Sequence, residues 1–353
     1  MSGQQMRAEM AEQADRVHRV VQAAANQSAE LTEVLATSRS VAVIGRGSSR
    51  SAGTYGVHLL RQATGRPAYL LSPAELAWGR LTGSMSGTTV VAISQSGESV
   101  EVLHAAQRAR EAGAKLVVVT NSVTSPLAAL VERPEHVLDC QAGVEIAVPA
   151  TKSYTTTLAC LLAIAASARP ELLDAVADRL PALMVAQHED VSARLDLSGS
   201  RGFLLAGEGF AETTAEEGAI KLRETLCTMV TALETSELLH GNVNSVGRDD
   251  VVIAVGADPL GAHLAGQALE QASARGAATV YVGVGEVGHA GTSLWLPDVP
   301  AHWVPFLAVQ ALQWAAHDTA VARQLDPDSP HGLTKITRIE ASSLGAGDVH
   351  GRP

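Results

Sequence analysis

The 353-residue chain has few aromatic side chains, 3% of the total, and only 18% charged residues. It lacks any basic stretch: 37 Asp and Glu outnumber 26 Lys and Arg, a formal net charge of −11. That balance excludes nucleic-acid binding as a main activity, because neutralising a phosphate backbone needs clustered Lys and Arg. A small anionic metabolite needs only a local nest of donors, so it stays open. Cysteine is scarce: Cys140, Cys160 and Cys227 lie far apart without C-x-x-C spacing and read as core residues of a reduced compartment. No His/Cys cluster has metal-ligand spacing, and no metal or other cofactor is expected. The start, MSGQQMRAEMAEQADRV, has no apolar segment of a secretory signal. The longest apolar run, 158–168, is too short to cross a bilayer. A cytoplasmic protein without a membrane partner is expected.

What the chain does have is apolar residues, 46%, and 31 glycines. Its length suffices for two domains, each with its own core. It also contains itself twice. The strand pattern Val41-Ala42-Val43-Ile44 runs into Gly45-Arg46-Gly47, and Phe203-Leu204-Leu205-Ala206 runs into Gly207-Glu208-Gly209, 162 positions later. Ala74-Glu75-Leu76 meets Ser236-Glu237-Leu238 at the same offset. Two further strand patterns, starting at Val90 and Leu116, find counterparts at Val251 and Val280 within a residue or two of it. Each copy reads strand, helix, short strand, strand, helix, strand. The strands are continuous aliphatic runs, which suits parallel strands buried on both faces. The expected fold is α/β, with two tandem doubly wound parallel sheets of flavodoxin-like type related by internal duplication. The expected limits are an N-terminal helix over 1–38, a first domain over 39–175, a second over 195–340 and a flexible tail over 341–353. A helix-rich connection, punctuated by Pro170 and Pro181, joins the domains.

Five segments carry candidate chemistry. Gly47-Ser48-Ser49-Arg50-Ser51 follows a strand and opens a helix, where backbone N–H groups and the helix dipole favour an oxyanion. It lacks the third glycine of a dinucleotide site and the GK[ST] of a P-loop, and by itself it also reads as an ordinary helix start. Ser94-Gln95-Ser96-Gly97-Glu98-Ser99 repeats the arrangement with three hydroxyls and an amide. The duplicate at Gly256-Ala257-Asp258-Pro259 has lost every hydroxyl, which points to one phosphate site per chain. Glu217, Lys221 and Glu224 share one helix face. Taken alone they read as a solvated ion-pair face, but the helix follows the second glycine loop. His240 in Glu237-Leu238-Leu239-His240-Gly241 and Lys335 in Asp328-Ser329-Pro330-His331-Gly332-Leu333-Thr334-Lys335 complete the set. Bare, each reads as a structural or surface residue.

Together EMAEQ, GSS, SQSGES, GVEIAVPATKSYTT, EGAIKLRE, ELLHG and DSPHGLTK resemble the double sugar-isomerase (SIS) domain family over about 9–340. Its members include the isomerase half of glucosamine-6-phosphate synthase and stand-alone glucosamine-6-phosphate deaminases. The resemblance implies that Ser49, Ser94, Gln95, Ser96 and Ser99, with Ser48 nearby, hold a phosphate, and that Val148 and Ala150 line the sugar pocket. It makes Glu224 the base moving a proton between C1 and C2, and Lys335 the group closing over the open-chain carbonyl. His240 becomes the ring-opening residue, reaching the neighbouring subunit of a homodimer. Glu217 and Lys221 support the base. A carboxylate and a histidine suit those tasks.

There is no glutaminase half and no cysteine after Met1, so amination from glutamine is not expected. Arg46, Arg50, Pro149 and Asn242 depart from the family pattern around the sugar pocket. The expected substrate is a 6-phosphorylated sugar, and the expected reaction converts glucosamine 6-phosphate to fructose 6-phosphate and ammonia. The alternatives are a dehydratase of N-acetylglucosamine 6-phosphate, a fructosamine-phosphate deglycase working through Lys335, and a non-catalytic sugar-phosphate sensor.

Overall fold

The computed structural model describes residues 2–24, 28–79, 81, 83–191, 195 and 197–335. The expected tail over 341–353 lies outside them. The N-terminal part is three helices, not one: α1 (Gln4–Ala11), α2 (Gln13–Ala24) and α3 (Ser28–Ala36). The first two are separated only by Glu12, whose carboxylate is drawn 3.0 Å from the buried ammonium of Lys152.

The first sheet unit runs β1 (Ser40–Ile44), α4 (Ser48–Thr64), β2 (Ala68–Leu70), α5 (Pro73–Ala77), β3 (Thr88–Ile93), α6 (Val100–Glu111), β4 (Lys115–Thr120) and β5 (Val137–Asp139). Helices α7 (Lys152–Ala166) and α8 (Val176–Val191) follow. The second unit runs β6 (Gly202–Gly207), α9 (Phe210–Leu226), β7 (Val230–Glu234), α10 (Thr235–Leu239), β8 (Asp250–Gly256), α11 (Pro259–Ala274), β9 (Ala278–Gly283), β10 (Thr292–Trp295) and α12 (Val304–Ala322). The sheet orders, β2-β1-β3-β4-β5 and β7-β6-β8-β9-β10, are the same topology twice. Every pairing is parallel. Strands β5 and β10, three and four residues long, escaped the sequence reading because such short pieces show no periodicity.

Alternate strand residues face two cores. Val41, Val43, Val91 and Ile93 on one sheet and Phe203, Leu205, Val251 and Ile253 on the other contribute to one continuous core between the sheets. Ala42, Ile44, Val90 and Ala92 face a smaller core outside the first sheet, and Leu204, Ala206, Val252 and Ala254 face its counterpart outside the second. Helix α7 is buried along its whole length in the central core, so residues 158–166 of the apolar run belong to a core helix. Among the described residues no helix is long and apolar enough to cross a membrane.

Pro181 was expected to punctuate the connection; instead it sits inside α8. A proline there removes the bond to the carbonyl four residues back, that of Ala177. His18 Nδ1 lies 3.1 Å from that carbonyl and satisfies it from α2. Cys140 and Cys160 are buried as expected, but Cys227 is exposed, at φ 49° where α9 ends.

Helices α4 and α9 pack against each other about a local twofold. Ser51 Oγ donates to the Thr213 carbonyl at 3.0 Å, and Thr213 Oγ1 donates back to the Ser51 carbonyl. Thr54 Oγ1 donates to Glu216 Oε2 at 2.7 Å. Both pairs are separated by 162 positions, the offset of the repeat, so each residue touches its own duplicate. Self-pairing of this kind is what a twofold interface produces. The paired glycines obey the same symmetry: Gly47 and Gly209 enter their helices at φ 53° and 59°. Gly45 and Gly207 let the first helical turn fold back onto the strand end. A Cβ at Gly207 would lie 2.3 Å from the Ala211 carbonyl oxygen, which is backbone and cannot swing aside. Gly207→Ala should therefore lower stability by about 1–3 kcal/mol, the usual cost of overpacking, read as a lower urea midpoint with unchanged m-value. A midpoint equal to the parent's would mean that the start of α9 shifts freely.

Candidate active site

A cavity of about 240 Å³ opens at the carboxyl ends of β1 and β3, between the starts of α4 and α6. This is the crevice where doubly wound sheets place ligands. Ser48, Ser49, Ser94, Gln95, Ser96, Ser99, Val148, Ala150, Glu224 and Lys335 all line it. These are ten of the thirteen residues singled out from the sequence. Glu217 and Lys221 lie beneath its wall, and His240 lies elsewhere.

The two hydroxyl-bearing loops are held by their own backbone. Gly97 takes φ +66°, and a Cβ there would sit 2.0 Å from Ser125 Oγ, so only glycine fits. That turn brings the Gly97 N–H to Ser94 Oγ and the Glu98 N–H to Ser96 Oγ, both at 3.2 Å. Each hydroxyl accepts in these bonds and keeps its own proton for an anion. Ser99 is the N-cap of α6 and makes no capping bond with its side chain. Two helix N-termini and these hydroxyls form a neutral, donor-rich cradle of the kind that suits an anion. Ser48 is different: its hydroxyl proton goes to Glu217 Oε1 at 3.0 Å.

Glu217, Lys221 and Glu224 are not a solvated face. The side chains of Glu217 and Lys221 are 0% exposed, and Glu224 is 28% exposed where it meets the cavity. Lys221 Nζ lies 3.4 Å from Glu217 and 2.8 Å from Glu224. Helix α9 packs against α4, so Glu224 from the second copy reaches the cavity lined by the hydroxyl-bearing loops of the first. Burial pushes the Glu217 carboxyl up to about 7; Lys221 opposes the shift and the charge of Glu224 adds to it. Burial alone would lower Lys221, but Glu224 and Glu217 outweigh it and shift it up. Glu217 Oε2 is buried without a partner among the described residues, a costly position for a full charge.

Among the described residues the twofold does not repeat this arrangement on its other side. The duplicates of Glu217, Lys221 and Glu224 are Tyr55, Leu59 and Gln62, and that of Ser48 is Phe210. Where Ser48 bonds Glu217, Phe210 packs on Tyr55 with ring centroids 5.7 Å apart. One side of the axis is polar and open; the equivalent contact on the other side is apolar.

Lys335 lines the cavity with its ammonium anchored. Nζ donates to Glu145 Oε2 at 2.6 Å and to the Ala147 carbonyl at 2.7 Å. The sequence reading missed Glu145. Its carboxylate also accepts from the Thr151 amide at 3.0 Å and from the Ser153 amide and hydroxyl at 3.0 and 2.5 Å. Burial would raise it, but Lys335 and Ser153 outweigh burial and hold it below the usual carboxylate range. One signal was available: Glu145 sits between Val144 and Ile146 in a loop. In the fold those two are 78% and 61% exposed, an inversion of the usual pattern. Arg46, at the cavity rim, forms a bidentate pair with Glu101 at 2.5 and 2.8 Å. His240 is exposed; its Nδ1 donates to the Ser236 carbonyl at 2.7 Å, which leaves Nε2 to accept a proton in the neutral ring.

The family model described as SIS domain matches residues 34–167. Glutamine–fructose-6-phosphate aminotransferase (isomerizing) of Methanothermobacter thermautotrophicus is 30% identical over 307 residues, covering 83% of this chain and 50% of that protein. The chain spans about half the length of the curated relatives it matches. The C-terminal domain of glucosamine-fructose-6-phosphate aminotransferase from Francisella tularensis superposes with a TM-score of 0.81 at 21% identity, covering 93% of this chain and 98% of that one. Glucosamine-6-phosphate deaminase from Thermotoga maritima does so at 0.71 and 18%, covering 91% and 99%. At those identities the two structures show the shared fold.

Glu217 holds its proton more tightly folded than unfolded. Its share of the stability is therefore whole below the ordinary value of 4.5 and is lost as pH rises through about 7. Between about pH 5 and 8 the urea midpoint of the parent should fall relative to that of Glu217→Gln. Parallel curves would place the Glu217 carboxyl in the ordinary range.

Proposed function

The chain belongs to the SIS-domain family, and we propose that it is a phosphosugar isomerase and deaminase that converts glucosamine 6-phosphate to fructose 6-phosphate and ammonia. The observation that carries this reading is the position of Glu224. It is a carboxylate tied to a buried lysine, in the wall of the same cavity as two hydroxyl-bearing helix starts.

The phosphate sits against Ser49, Ser94, Gln95, Ser96 and Ser99, where helix N-termini and hydroxyl protons take up its charge. Ser48 bridges this cradle to Glu217 and so links phosphate loop to base. The sugar then extends past Val148 and Ala150 towards Glu224. After ring opening, Glu224 removes the C2 proton of the open-chain aldehyde and returns it at C1. The C2 amine becomes a ketimine, and water hydrolyses it to the ketone and ammonia. A carboxylate suits this transfer because it can reach both carbons from one side. Lys221 keeps one oxygen of Glu224 engaged, and Lys335, fixed by Glu145, faces the open-chain carbonyl.

Ring opening needs a group that can accept and return a proton. In this reading His240 supplies it from a second copy of the chain, since within one chain it does not line the cavity. Three free thiols, two of them buried, fit a cytoplasmic setting. In this reading the first domain runs over 39–175 and the second begins at 195.

Purified protein incubated with glucosamine 6-phosphate should release ammonia and fructose 6-phosphate in equal amounts. A product lighter by one water from the N-acetylated sugar, with no ammonia from the free amine, would make it a dehydratase instead. Glu224→Gln should slow turnover by ~10²–10⁴-fold, the usual worth of a general base, while leaving phosphosugar binding nearly intact. Replacing Ser94 and Ser96 together by alanine should weaken every 6-phosphorylated ligand and spare the chemical step.

A further inference from the structure

We infer that Glu9, on the first helix, is a positioning residue for Lys335, acting through the backbone of the 145–148 loop. The inference rests on the reading of Lys335 as a substrate-facing group. Glu9 is 4% exposed, and its Oε1 accepts from the amides of Ile146 and, at 3.4 Å, Ala147. The carbonyl of Ala147 is the one that receives Lys335 Nζ at 2.7 Å. The next amide, that of Val148, donates to the Asp328 carbonyl at 2.9 Å. Three successive peptide planes are thus fixed, and the last of them presents the acceptor for the lysine.

Asp328 closes the circuit. Its carboxylate accepts from the amides of Gln5 and Met6 at 3.2 and 2.8 Å, in the first turn of the helix that carries Glu9. The first helix, the sugar-side loop and the segment that carries Lys335 therefore hold one another. Glu9 Oε2 is buried and has no partner among the described residues. Burial pushes its carboxyl up and Glu145 adds to the shift, while the two amides and Lys335 pull it back. Joining two chain segments does not by itself call for a buried carboxylate, which carries a desolvation cost that a neutral side chain avoids. The carboxylate of Glu9 supplies a charged acceptor, Oε1, stronger than an amide oxygen, and it lies against the loop that aims the lysine.

The test compares the parent with Glu9→Gln and Asp328→Asn, each first confirmed as folded by circular dichroism. Lys335, whose side chain is 24% exposed, is labelled with N-hydroxysuccinimidyl acetate and followed by peptide mass spectrometry. Both variants should label Lys335 several-fold faster. Both should lose ~10–100-fold in kcat on glucosamine 6-phosphate with KM within about twofold, as for a reacting group displaced by a fraction of its reach. Unchanged labelling and kcat in either folded variant would overturn the inference. If the parent does not turn over the aminosugar, the function reading fails, and the labelling rates alone decide the role of Glu9.

Discussion

Ser51 and Thr213 exchange hydrogen bonds where α4 meets α9, and the rest of the molecule is arranged around that crossing. Two duplicated units meet through the same helix of each, so their sheets share one apolar layer instead of keeping separate inner faces. The small residues near the axis allow this. Bulky side chains there would separate the helices and move the Glu224 face of α9 away from the loops at the start of α4. Because the second-domain helix passes directly against the first-domain loop, Ser48 can reach Glu217.

Symmetry of the backbone does not carry over to the chemistry. The same helical positions hold Glu217, Lys221 and Glu224 in one copy and Tyr55, Leu59 and Gln62 in the other. Burying a lysine between two carboxylates is tolerable only while its partners remain, since one isolated charge in a low-dielectric interior costs several kcal/mol. An aromatic contact carries no such condition, and Phe210 on Tyr55 stabilises the opposite side by packing. The polar copy is the one that faces hydroxyls at the helix starts; the duplicate loop at 256–259 has none.

Much of this was legible beforehand. The aliphatic runs announce parallel strands, and the offset of 162 that relates the copies is the offset at which Ser51 finds Thr213. Six of the candidate residues, Ser48, Ser49, Ser94, Gln95, Ser96 and Ser99, meet in one cavity because their motifs sit at strand ends, where this kind of fold directs its loops. The remainder depends on contacts between distant segments. A helix wheel shows Glu217 and Lys221 on a common face but not what covers it. Pro181 reads as a helix breaker until His18, far away in the chain, is seen to satisfy the carbonyl it frees. Glu145 reads as a loop residue flanked by Val144 and Ile146, and only the closing of Lys335 onto it makes it a buried anchor.

Local periodicity, turn glycines and the internal repeat were therefore enough to determine the class of fold, the duplication and the loops that would bear hydroxyls. These follow from interactions among neighbouring residues, or from patterns that recur along one line. Which charges are buried, which of the two symmetric sides is open, and how the first helix is joined to the segment that carries Lys335 were decided by tertiary structure. Desolvation and hydrogen-bond completion depend on whatever surrounds a group in space, and here those surroundings come from parts of the chain as remote as Glu9, Glu145 and Asp328.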